Sequence, residues 1–106
     1  MEKFPYPEKK LEKKTVLEQL QANGLDHAET NEMVMKWTEQ QEALVKKENT
    51  SKAAIVFNIE RSDLYLAAGD KEGALECLED ARMQAHQENE EELYDQIMRK
   101  MDEIEG

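Results

Sequence analysis

Proline, glycine, aromatics and cysteine are all scarce in this chain of 106 residues, and each shortage excludes something. There is one cysteine, Cys77, so no intramolecular disulfide can form. Pro5 and Pro7 are the only prolines, and nothing downstream of them is barred from a helix on that account. Four glycines (Gly24, Gly69, Gly73, Gly106) lie too far apart to make a phosphate-cradling loop. Two histidines, His27 and His86, have no His or Cys partner at metal-ligand spacing, so each reads as a solvated or capping residue. No twelve-residue calcium loop of alternating acids is present. No segment alternates apolar and polar residues as a half-buried strand does. The N-terminal stretch lacks the apolar core of a secretory signal, and no run approaches the length of a membrane span. A cytoplasmic, non-membrane protein is therefore expected. Asn49-Thr50-Ser51 fits a glycosylation acceptor but, without such a signal, reads as helix-capping material.

What is abundant is charge and helix-forming residues. Asp, Glu, Lys and Arg make up 37% of the chain, and the formal net charge is −11. Five lysines fall in residues 1–15 against three glutamates, so the acid excess lies entirely downstream. Such a surface repels phosphate backbones, which argues against nucleic acid as a partner. Its plain use is solubility; its functional alternative is an acid-rimmed groove for a basic peptide. With this many carboxylates no acidic pair stands out as general acid and base. No catalytic, cofactor-binding or metal-ligating residue is nominated, and no cofactor is implied.

The periodicity predicts a single all-α domain of about five helices over residues 1–106. Residues 1–7 should be extended, because each proline holds its predecessor out of the helical region. A lysine-rich, partly ordered helix over 8–22 should stop at Asn23-Gly24. Asp26 and Glu29 have capping-box spacing ahead of a second helix that runs to about Glu48. Met33, Val34, Trp37, Gln41, Leu44 and Val45 share one face of it, with Trp37 the natural core anchor. Met33, Met35 and Met83 serve either as core filler or as an adaptable binding surface. The third helix, 52–68, is apolar on several sides and so should be the central element or present one flank to a ligand. Gly69-Asp70 should turn the chain into a fourth helix over 71–88, with Ala74, Leu78 and Ala81 on one stripe. Asn89 and Glu92 repeat the capping-box signature before a fifth helix over 90–105.

Residues 55–88 resemble one tetratricopeptide repeat, a helical hairpin of about 34 residues. Counting from Ile55, the small positions are Ser62, Ala74 and Ala81, the aromatic is Tyr65, the turn is Gly69-Asp70, and Leu78 fills between the helices. Three positions depart from the family pattern: Asn58 and Arg61 where large apolar groups are usual, and His86 where proline is common. The resemblance implies a hairpin over 52–88, the last helix acting as a cap, in a small right-handed superhelix or bundle. It also implies a small non-catalytic protein-binding module, of the adaptor or chaperone type. Its groove would be lined by Val56, Ile59, Asp63, Leu66 and Ala67. That lining suits an apolar helix or a basic segment rather than a terminal carboxylate. The alternative is a structural protein in which the same groove joins two copies as a homodimer.

Overall fold

The computed structural model describes residues 10–106. They form five helices and no strand: α1 (Lys13–Asn23), α2 (Ala28–Glu48), α3 (Ser51–Ala67), α4 (Lys71–Gln87) and α5 (Glu91–Glu105). The extended segment expected over 1–7 lies outside the described residues. The expected first helix begins later than the periodicity suggested. Glu12 is extended and lends no side-chain cap, and the Leu11 amide donates to Gln40 Oε1 at 3.0 Å, which pins the chain against α2 before α1 starts.

α3 and α4 fold back on each other. Gln84 accepts from Asn58 at 3.1 Å, and Glu88 accepts from Ser51 at 3.1 Å. Near the turn, a Cβ placed on Gly73 would lie 2.8 Å from the Tyr65 ring. As the α3 number rises the α4 number falls, which is the signature of an antiparallel hairpin. Its bend is at Gly69, with φ of 83°. The Asp70 amide donates to the Tyr65 carbonyl at 2.8 Å and the Gly69 amide to Leu66 at 3.0 Å, the paired bonds of a Schellman stop. Asp70 then caps α4 by accepting from the Gly73 amide at 2.9 Å. Ser62, Ala74 and Ala81 are fully buried where the helices meet. The Ser62 hydroxyl donates to the Ile59 carbonyl at 2.6 Å, so burying it strands no polar group.

Two core clusters share α3. Ile55 and Ile59 pack with Leu78, Ala81, Ala85 and Ile97 on the α4–α5 side. Leu64 packs with Val16, Leu20 and Trp37 on the α1–α2 side. Trp37 is 1% exposed and is the largest fully buried side chain, with Phe57 of α3 at 6.3 Å between ring centroids. α3 is thus the central element that its all-round apolar character required.

Two caps differ from their sequence reading, and a third falls on one of its candidates. His27, not Asp26, precedes α2: its Nδ1 accepts from the Thr30 amide at 3.4 Å and lies 3.0 Å from the Thr30 hydroxyl. Thr30 is 1% exposed, and this pairing satisfies it. Asn89 does not open α5 but stops α4 in the left-handed conformation, at φ of 58°, with the Glu90 amide bonded to Ala85 O at 2.9 Å. Asn49 likewise ends α2 at φ of 52°, leaving Thr50 to cap α3 through the Ala53 amide at 3.1 Å. Asparagine tolerates this region better than other non-glycine residues. Leu44, assigned to the inner face of α2, points outward at 44% exposure, and Met35 and Met83 are exposed while Met33 packs inward.

Each helix meets its immediate neighbours in the chain, and α3 alone also meets the helices two places away on either side, α1 and α5. α1 packs on α2 and α3, α2 on α3, α3 on α4 and α5, and α4 on α5. No Cα pair within 8 Å joins α1 to α5 or α2 to α4. The body is accordingly flat, 46 × 32 × 16 Å. Its radius of gyration is 15.1 Å, against about 13 Å for a spherical domain of similar length.

Candidate functional site

α3 offers two flanks, because its neighbours on each side leave gaps between themselves. The first flank carries the residues singled out from the sequence. Val56 and Leu66 are exposed there, each at 37%. Ile59 is not available to a partner. It is 4% exposed and sits in the α3–α4–α5 core, because it falls one helical turn from Ile55 on the inward stripe. Ala67 is half-buried and packs against the Trp37 cluster.

Asp63 is half-buried, with both carboxylate oxygens engaged. Lys13 of α1 donates to Oδ2 at 2.7 Å, and Lys100 of α5 donates to Oδ1 at 3.1 Å. Lys13 also lies 3.9 Å from Glu60. Partial burial pushes the Asp63 pKa up, but the two lysine hydrogen bonds and their charges outweigh it, and the carboxyl titrates below the usual aspartate range. One side chain therefore ties together two helices that have no backbone contact of their own. The acid expected to greet a basic partner on this flank is already neutralised. Beside it, Leu66 and Ile104 line a cavity of about 340 Å³ edged by Lys71, Lys100 and Glu103. This flank is apolar with a lysine edge, not an acid rim.

The second flank lies between α2 and α4. A cleft of about 260 Å³ runs between α2 and α3, lined by Leu20, Leu25, Val34 and Leu64 with Asn31, Thr38, Arg61 and Tyr65. A second cavity of about 330 Å³ lies between α3 and α4, and Arg61 and Tyr65 line it as well, opposite Asp70, Glu72, Glu76 and Asp80. The Arg61 guanidinium stands 5.7 Å from the centroid of the Phe57 ring. It forms no ion pair with a carboxylate among the described residues. Cys77 also borders this cavity but is 7% exposed, and burial pushes its thiol pKa up, away from a reactive thiolate.

Sequence reasoning found the exposed pair Val56 and Leu66 and missed what surrounds them. Lys13 and Lys100 are 50 and 37 residues from Asp63, and no local spacing connects them. Arg61 was visible as a departure from the repeat pattern. It lines the cleft together with Val34 and Leu64. Set beside known protein families, curated proteins and solved structures, the chain matches none of them.

Proposed function

We propose that this chain is a non-catalytic protein-interaction module centred on one tetratricopeptide-like hairpin, α3–α4, with α5 as its polar cap. The observation that carries the reading is the open packing of the helices about α3. α3 is sandwiched, yet the helices on either side of it do not meet. A globular enzyme core closes such gaps, whereas a stacked helical array leaves them as grooves. The hairpin supports the same reading through its small buried contacts at Ser62, Ala74 and Ala81 and its Gly69-Asp70 turn. The face of Leu66 and Ile104 is the groove that such an array presents to an apolar segment of a partner.

The test is capture of binding proteins from the native lysate by the intact chain and by Leu66→Asp, with circular dichroism on both. The reading expects Leu66→Asp to lose the captured partner while the helical signal stays intact, because Leu66 is exposed and serves no core. Retention of the same partner by Leu66→Asp removes this face from the proposal. Light scattering across a concentration range supplies the other check. A tight dimer abolished by Leu66→Asp would make the face a self-association surface instead.

A further inference from the structure

The furrow between α2 and α4 has the opposite chemistry to the Leu66 face. Its floor is Arg61 and Tyr65, one turn apart on α3. The α2 wall is mainly apolar: Val34, with Leu25 from the turn before α2, lines the cleft beside the buried Leu20 and Leu64. The α4 wall is acidic: Glu72, Glu76 and Asp80 recur every four residues, so they stand in one row up the helix. All three are exposed, and none forms an ion pair among the described residues. Asp70 adds a fourth carboxylate, with one oxygen committed to the cap of α4. Against them stands a single cation, Arg61, held over the Phe57 ring. The acids of the Leu66 flank are matched by lysines; those of the furrow are not.

We infer that this furrow docks a basic amphipathic helix from a partner protein, its apolar side chains entering the α2 cleft and its Lys or Arg residues lying along Glu72, Glu76 and Asp80. The cavities hold about 260 and 330 Å³, one below and one just inside the roughly 300–1,000 Å³ range of sites that enclose whole small molecules. Each takes one large side chain. An apolar wall beside an acidic row is complementary to a helix with one apolar and one basic face, the helix-in-groove mode of recognition. The surface is separate from the Leu66 face, so the two stand or fall independently.

The probe is a synthetic amphipathic Leu/Lys helix of about 18 residues, with a scrambled Leu/Lys peptide of equal charge as control. Binding is read at physiological salt from backbone amide shifts in the intact protein. The inference expects the amphipathic peptide to shift Leu25, Val34, Arg61 and Tyr65 and to bind at least about tenfold tighter than the scrambled one. The triple substitution Glu72→Gln, Glu76→Gln, Asp80→Asn should weaken binding about tenfold or more. The same change of charge on α5, Glu91→Gln, Glu92→Gln, Asp95→Asn, should weaken it less than about threefold. Leu66→Asp should leave it unchanged.

Equal loss from both triple variants overturns the inference, because attraction would then belong to the net charge and not the furrow. Shifts confined to residues around Leu66, abolished by Leu66→Asp, overturn it while preserving the interaction-module reading. No difference between amphipathic and scrambled peptides overturns it as well. The acidic residues replaced in both variants are exposed, so folding is preserved and checked by circular dichroism.

Discussion

On one side of α3 the core gathers round a single indole; on the other, alanines let the helices close on Ile55, Ile59, Leu78 and Ile97. Trp37 draws Val16, Leu20, Leu64 and Phe57 towards it, and a cleft of about 260 Å³ is left open beside that cluster. The α3–α4–α5 side closes on Ala74, Ala81 and Ala85, none of them more than 1% exposed. A large anchor tolerates imperfect closure round its edge, since most of its surface is buried whatever the neighbours do. Small contacts work only if the two backbones approach closely along their whole length. The first arrangement leaves an apolar cleft; the second leaves only a polar cavity of about 330 Å³ at the hairpin's outer edge and fixes the hairpin that positions α3.

The largest break in this comparison is Trp37→Ala. Removing the indole should cost about 3–5 kcal/mol, the range for a large aromatic truncated in a core. That is a large share of the stability of a domain this size. Urea denaturation followed by far-ultraviolet circular dichroism measures it. A loss below about 1 kcal/mol would mean that the α1–α2 side holds to α3 by some other means. Leu44→Ala on the same helix, truncating a side chain 44% exposed, should stay within about 0.5 kcal/mol.

The next test reverses direction, from small to large. Ala81→Leu has no space at the hairpin interface and should cost about 1–3 kcal/mol through overpacking. Val34→Leu adds one methylene beside the open α2 cleft and should stay within about 0.5 kcal/mol. If the two cost the same in urea denaturation, the contrast between a closed and an open side fails.

The closed side was the more legible of the two in the sequence, and the reason is range. The hairpin rests on spacings of three and four residues and on one glycine, all within a single stretch. Its boundaries, its turn at Gly69 and its buried Ser62, Ala74 and Ala81 could be read there. Trp37 as anchor was readable from its size alone. The helix stops at Asn49 and Asn89 were not. Asparagine serves equally as an N-cap and as a left-handed stop, and only the chain's path decides between them. His27 replaced Asp26 as the cap of α2 because the buried Thr30 hydroxyl needed a partner as well as the backbone amide. The site was half legible. Exposure of Val56 follows from its place beside the buried stripe of α3, but Ile59 belongs to that stripe, and Leu66 continues it by spacing and is exposed in the last turn of the helix. Asp63 was seen as the acid of the groove, while the two lysines that occupy it come from helices far off in the chain.

The smallest expected effect concerns that acid, which joins α1 on one side to α5 on the other. Asp63 titrates below the ordinary aspartate value near about 4 because Lys13 and Lys100 bond to its charged form more strongly than partial burial disfavours it. A carboxyl whose pKa is lower in the folded chain stabilises the fold wherever it is ionised in both states, above that ordinary value. The contribution fades as pH falls towards the folded pKa and is gone below it. All three side chains are between 24% and 29% exposed, so the effect at neutral pH should be about 1 kcal/mol or less. Asp63→Asn keeps the shape and removes the charge. The measurement is the urea midpoint of the natural chain minus that of Asp63→Asn at pH 7 and at pH 2.5. The other carboxylates are common to both proteins and cancel in the difference. That difference should be positive at pH 7 and smaller at pH 2.5. A value that does not change with pH would show that Asp63 contributes packing alone, and that α1 and α5 are held to α3 independently.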